Sequence, residues 1–161
     1  MKNITVILFF ASGLISCHDN NTKTSILPDN SFTSKRSGVD WNGATEIRTD
    51  SKTDTLTLLF TANRPNDEVV VMKIKFDGVS SYTLMKNQSY YRSTIGGDVL
   101  TSEYNLGLTD SGQLVISKYD STENIIEGNF EISFKKKWSY PDTNADVLNF
   151  TNGKFKGKIS N

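Results

Sequence analysis

The chain has 161 residues, with 18 basic and 18 acidic side chains and a formal net charge of zero. That length suits one domain with a core of its own, and the charge balance excludes the basic footprint that DNA or RNA binding requires. A single cysteine excludes an internal disulfide, and a single histidine leaves a His-rich metal site or a Ser/His/Asp triad little to draw on.

Lys2 precedes an apolar run from Ile4 to Ile15. The run falls short of the ~20 residues that a spanning helix needs, and it has the length of a secretory signal's apolar region. Leu14-Ile15-Ser16-Cys17 resembles the bacterial lipobox. That resemblance implies that residues 1–16 are a signal peptide and that Cys17 is the lipidation site. Several acyl chains on one cysteine, at about 0.8 kcal/mol per buried methylene, make a stable membrane anchor. No other segment is apolar enough to cross a bilayer. Residues 17–31 read as the lipidated cysteine and a flexible tether: His18 to Ser31 is polar, carries Pro28 and shows no sustained period. Such a coil reaches roughly 20 Å. His18 reads as a solvated linker residue.

Residues 32–161 form a single domain rich in strand patterns. Threonine outnumbers alanine 17 to 4, which suits pleated surfaces better than helices. Phe32–Lys35 and Val39–Trp41 suggest a hairpin, with a turn at Asn42-Gly43. Thr55 to Ala62 alternates polar and apolar with only Leu59 off pattern, the period of a half-buried strand. After turn formers at Asn63 to Asp67, Glu68 to Phe76 places Val70, Met72, Ile74 and Phe76 on one face. Tyr82–Leu84, Val99–Leu108 and Gln113–Tyr119 are further strands. Ile126, Gly128, Phe130, Ile132 and Phe134 alternate with polar partners without a break. Ser139–Asp146 reads as a loop, and Val147–Thr151 and Lys154–Ile159 close the chain. Turn signals at this spacing predict an all-β fold, an antiparallel β-sandwich of about 8–10 short strands, with a closed or partly open β-barrel as the alternative.

Phe32 to Trp41, Gly112-Gln113-Leu114-Val115-Ile116-Ser117, the I-x-G-x-F run Ile126 to Phe130 and the T-N-G-x-F run Thr151 to Phe155 resemble small uncharacterised lipoproteins of Bacteroidota. The resemblance covers Phe32 to Ile159. It implies a β-rich fold and an outer-membrane location, with periplasmic or surface facing left open. It carries no activity, cofactor or site residue.

Chemistry is sparse. Asp142, Asn144 and Asp146 place oxygens at positions 1, 3 and 5 of a calcium loop, but Val147 and Gly153 stand where an EF-hand needs glycine and glutamate. The set is a weak calcium candidate beside the alternative of a polar hairpin loop. Glu127 and Glu131 share a strand face about 13 Å apart, too far for a glycosidase pair. Asp67-Glu68 reads as a solvated turn. Asp98 with Glu103 is a carboxylate pair that only folding could bring together. No nucleophile elbow or phosphate loop occurs. Tyr90, Tyr91, Tyr104, Trp138 and Tyr140 fall near strand ends or loops, where rings either stack on sugars and anchor interfaces or cap the core ends. Tyr90, Tyr91, Trp138 and Tyr140 are the candidate ligand-binding aromatics. Lys135-Lys136-Lys137 beside Trp138 suits an anionic polymer or a solvated strand end.

These readings favour a non-enzymatic envelope lipoprotein, anchored to the membrane through lipid, that binds a glycan or an envelope protein and not nucleic acid, with no cofactor. Two alternatives stand beside it. One is a β-barrel carrier of a small apolar ligand, with a cavity lined by Phe60, Met72, Phe130 and Phe134. The other is a hydrolase with an unrecognised carboxylate site.

Overall fold

The computed structural model describes residues 27–50, 52–63, 67–107 and 110–160. The lipobox, Cys17, His18 and the tether as far as residue 26 lie outside the described residues. Within them the chain forms ten strands and no helix. They are β1 (Ser31–Arg36), β2 (Val39–Asp50), β3 (Thr55–Asn63), β4 (Asp67–Lys75), β5 (Ser80–Leu84), β6 (Ser89–Ile95), β7 (Val99–Asn105), β8 (Gly112–Asp120), β9 (Ile125–Ser139) and β10 (Val147–Ser160).

All ten join one sheet in the order β1-β10-β2-β3-β4-β6-β7-β9-β8-β5, with β1 also paired to β2 and β10 to β9. The hydrogen bonding thus returns on itself: β2, β3, β4, β6, β7, β9, β10 and β1 form a ring of antiparallel neighbours. The all-β, mostly antiparallel expectation holds, with one ring-like sheet in place of two separate ones. One short parallel contact occurs, where Ile159 and Ser160 of β10 run past β1 to Ile47 and Arg48 of β2. β7 and β8 occupy successive lengths of the same edge of β9, and β6 and β5 stand against them in turn.

The alternation dictates which side chains fill the ring. Leu56, Leu58, Phe60 and Ala62 of β3 face inward, as do Val70, Met72 and Ile74 of β4 and Ile126, Phe130, Ile132 and Phe134 of β9. Rings meet across the interior. Phe60 stacks on Phe130 at 4.7 Å, Phe32 lies 4.5 Å from Trp41, and Trp41 lies 4.8 Å from Phe150. Each such pair adds about 0.5–1.5 kcal/mol beyond area burial. Phe60, Met72, Phe130 and Phe134 are all at most 1% exposed. They occupy the space that a carried apolar ligand would need.

Three details differ from the sequence reading. The first hairpin turns at Ser37-Gly38, where both residues take positive φ (48° and 88°), and β2 runs straight through Asn42-Gly43. Asn-Gly is a strong turn signal, but here pairing with β1 on one side and β3 on the other holds the segment extended. The two closing strands are one strand, β10, kinked by a register shift between Phe150 and Gly153. β6 is a full strand that the sequence reading did not delineate, because its alternation of Ser89, Tyr91 and Ser93 carries one ring among hydroxyls.

The β1–β2 turn, the end of β3 and start of β4, the β6–β7 turn and the β9–β10 loop lie at one end of the ring. β1 begins and β10 finishes at the other end. Among the described residues, the loop end carries six of the eight exposed large hydrophobics: Val39, Ile95, Val99, Trp138, Tyr140 and Val147.

Candidate functional site

A cleft of about 370 Å³ opens at the loop end, where inward positions of β1, β4, β6 and β7 run out of apolar residues. Its floor holds an ion pair. Glu68 is 4% exposed. One of its oxygens accepts a bond from Nη1 of Arg36, and the other accepts the Trp41 indole N–H at 2.7 Å. Arg36 Nη1 also donates to the Tyr91 hydroxyl at 3.3 Å. A buried carboxylate is tolerated only with such partners. Burial alone would lower the Arg36 pKa, but its bond to Glu68 and that residue's charge outweigh the loss and hold it above its ordinary value. Burial also pushes the Tyr91 hydroxyl well up, with the Glu68 charge adding to it. Arg36 therefore stays a cation and Tyr91 a neutral hydroxyl.

Beside this pair is a knot of hydroxyls. Ser93 and Ser102 stand opposite each other on β6 and β7, both buried, with their oxygens 2.7 Å apart. Ser93 also shares a 2.8 Å bond with Thr101. The Tyr104 hydroxyl donates to the Ala145 carbonyl at 2.9 Å, tying β7 to the β9–β10 loop, whose Asn144 and Ala145 form part of the cleft wall. The backbone N–H of Tyr140 donates to the Thr101 carbonyl at 2.8 Å. An 80% exposed Tyr140 is thereby fixed one residue from the hydroxyl knot.

The calcium candidate lies in the same loop. Its oxygens converge on the ammonium of Lys136. Asp142 and Asp146 carboxylates lie 3.1 and 2.9 Å from Nζ, and the backbone carbonyls of Asp142 and Asn144 each accept from it at 3.1 Å. Asn144 contributes its backbone and not its side chain. A lysine built into the chain holds the position a metal ion would take. Its bonds to Asp146 and then Asp142 raise its pKa. Among the described residues no cluster of three His, Cys, Asp or Glu suits a metal.

The candidate aromatics divide. Tyr140 is exposed. Trp138 is 38% exposed on the outer face, paired with Glu103. Tyr90 also faces outward, half buried, with the Arg92 guanidinium 4.6 Å over its ring. Tyr91 differs from the expectation: it is 3% exposed, edge-on to Tyr104 and against Phe150, and it lines the cleft from the buried side. Tyr104 is buried in the same way. Strand parity explains this, because Tyr91 pairs with Val70 and Tyr104 on the inward row.

Nor are the carboxylates where the sequence reading set them. Glu68 is a buried member of β4, not a solvated turn residue. Glu103 points outward and is held by Lys137 at 2.8 Å, Arg92 at 3.2 Å and Asn105 at 3.3 Å, while Asp98 sits in the β6–β7 turn. Of the three residues at the centre of the site, Arg36 went unremarked in the sequence, and Trp41 and Glu68 were read only as parts of a hairpin and a turn. One signal pointed to Glu68: it shares the parity of Val70, Met72 and Ile74, which places it on the apolar face.

No curated protein and no solved structure matches the chain. A family model does, over residues 29–157, which spans nearly every described strand and the whole cleft. The chain belongs to the family described as a domain of unknown function, DUF6252.

Proposed function

We propose that this protein is an envelope lipoprotein, anchored at the bacterial outer membrane through Cys17 like the small Bacteroidota lipoproteins it resembles, and that its domain is a non-enzymatic binding module for a glycan or an envelope protein. The observation that carries this reading is the polarity of the fold. The cleft and six exposed apolar side chains lie at the end opposite the start of β1. A chain tethered through its N-terminus holds that end away from the membrane. Both oxygens of Glu68, the carboxylate of the cleft floor, are engaged by Trp41 and Arg36, an arrangement that suits a fixed acceptor better than a proton carrier. The packed interior favours a surface site over a carrier's cavity.

A photo-crosslinking amino acid placed at Val99 and Tyr140, and at Lys52 in the β2–β3 turn as a far-end control, tests this in living cells. Adducts concentrated at Val99 and Tyr140 support the reading. Adducts from Lys52 alone would overturn it.

A further inference from the structure

We infer that the start of β2 takes an extended segment of a partner protein as an added strand, paired on Asp40 and Asn42; this rests on the binding-module reading above and makes the partner a protein. The sheet is incomplete at the loop end. β1 pairs with β2 from Val39 to Ala44. β3 grips the other edge of β2 only from Ala44 onward. Continued, that register would set Gly43 against Ala62 and Asn42 against Asn63, but the strands part first and a groove of about 490 Å³ opens between them. Asp40 to Ala44 form one wall, and Thr61 and Ala62 the other.

The hairpin decides which backbone groups face this groove. Its two-residue turn at Ser37-Gly38 makes Arg36 and Val39 a hydrogen-bonded pair, so the odd-numbered residues of β2 direct their N–H and C=O to β1. Thr45 keeps that parity, its N–H donating to the Asn30 carbonyl at 2.9 Å. Asp40 and Asn42 therefore direct theirs into the groove, about 7 Å apart. Among the described residues no other backbone group bonds them. A donor and an acceptor on each of two alternate residues is the pattern that another extended chain completes. β5 is also paired on one side only among the described residues, but it turns straight back from β4 and lies beside it.

The walls set the side chains that the segment carries. Trp41 and Ala62 are buried on the inner face, and Gly43 beside them has no side chain. A residue opposite Trp41 points to that face and is apolar. Residues opposite Asp40 and Asn42 point outward beside exposed polar side chains and are polar. The segment thus alternates polar and apolar. A second copy of this chain fits less well: antiparallel pairing of β2 with β2 turns the two rings end over end and sends their N-terminal tethers in opposite directions.

The test titrates the full chain, isotope-labelled and solubilised in detergent, with a capped peptide alternating threonine and valine, with a lysine at each end for solubility. We expect saturable amide shifts at Asp40 and Asn42. N-methylation of the threonines, whose N–H groups face β2, should weaken binding at least about tenfold, the scale of one or two lost hydrogen bonds. N-methylation of the valines, whose N–H groups face away from β2, should leave it nearly unchanged. Asn42→Pro removes a donor that β1 does not use, so the Tm should hold while binding falls by a similar factor; the two methylated peptides decide the matter should that variant fold poorly. Shifts centred on β5, equal losses for both methylated peptides or no binding overturn the inference, as does a photo-cross-linker at Asn42 that captures only a second copy of this chain. If no peptide binds while the cross-linkers at Val99 and Tyr140 still label a protein, the added-strand assignment falls and the binding-module reading stands. If those cross-linkers also fail, both fall.

Discussion

Phe155 stands directly across from Gly128, and its ring covers the space that a side chain there would fill; Phe130 and Gly153 repeat the relationship on the same two strands. Each of the two sequence motifs therefore supplies the glycine that the other's phenylalanine packs on. A methyl at Gly128 would come within 2.8 Å of the Phe155 ring, and one at Gly153 within 2.7 Å of the Phe130 ring. The I-x-G-x-F and T-N-G-x-F runs are halves of one packing device.

Gly128→Ala should accordingly destabilise the domain by about 2–3 kcal/mol, through overpacking against both the ring and the Val115 carbonyl. Phe130→Ala should cost about 3–5 kcal/mol, since its ring is fully buried and stacked on Phe60. Thermal melts read both, at roughly 2–4 °C per kcal/mol. An undiminished Tm for either variant would contradict the facing of β9.

Glu68→Leu should be among the most damaging polar changes. It leaves the Arg36 guanidinium and the Trp41 indole N–H without their acceptor. Breaking a buried pair costs about 3–5 kcal/mol, and the partial exposure of Arg36 places the loss toward the lower end. The double change Glu68→Leu with Arg36→Met should recover part of it. A urea-unfolding cycle measures the coupling, and additivity of the two changes would show that the pair does not act as a unit.

Lys136→Met removes the cation around which the β9–β10 loop is wrapped. Because its partners Asp142 and Asp146 are exposed and water screens the pairs, global stability should change little. Local order should suffer more. Amide exchange across residues 142–146 should accelerate clearly, read by mass spectrometry, and millimolar calcium should leave the wild-type Tm unchanged. A calcium-induced rise in wild-type Tm would mean that the lysine does not hold that position.

Acid should act through Glu103. The bond from Lys137, opposed by burial and reinforced by Asn105 and Arg92, holds this carboxyl below its ordinary value of 4.5. A depressed carboxyl contributes stability above its unfolded-state pKa and loses it as pH falls through the folded one. Below about pH 4.5 the wild-type Tm should therefore converge on that of Glu103→Gln. Asp40 and Asp120 are also held low but titrate identically in both proteins, so the difference isolates Glu103. A gap that stays constant through the acid range would refute the assignment.

For the anchor, Cys17→Ala should abolish fatty-acid labelling and leave the chain uncleaved or released from the membrane fraction. Acyl labelling that persists in the variant would remove the basis for the lipoprotein proposal.

The strands were legible in residue order because the period-2 pattern is local. Leu56 to Ala62, Val70 to Ile74 and Ile126 to Phe134 each announce a buried face without reference to the rest of the chain. Elsewhere the local signal misled. Asn42-Gly43 reads as a turn, yet β1 and β3 hold it extended from both sides. Tyr91 looks like a loop aromatic, yet pairing with Val70 and Tyr104 turns it inward.

Composition and periodicity thus determined the all-β class, the inward faces of the long strands and the scarcity of catalytic side chains, since each depends on residue type or on spacing along a single strand. The ring closure, the reciprocal seating of Phe155 on Gly128 and Phe130 on Gly153, the oxygen cage around Lys136 and the Arg36–Glu68–Trp41 cluster were decided only by the tertiary structure. Arg36 and Glu68 lie 32 positions apart in sequence, and Lys136 meets its cage across a loop. Such contacts depend on strand register, and register is set by the pairing of the whole sheet and not by any segment alone.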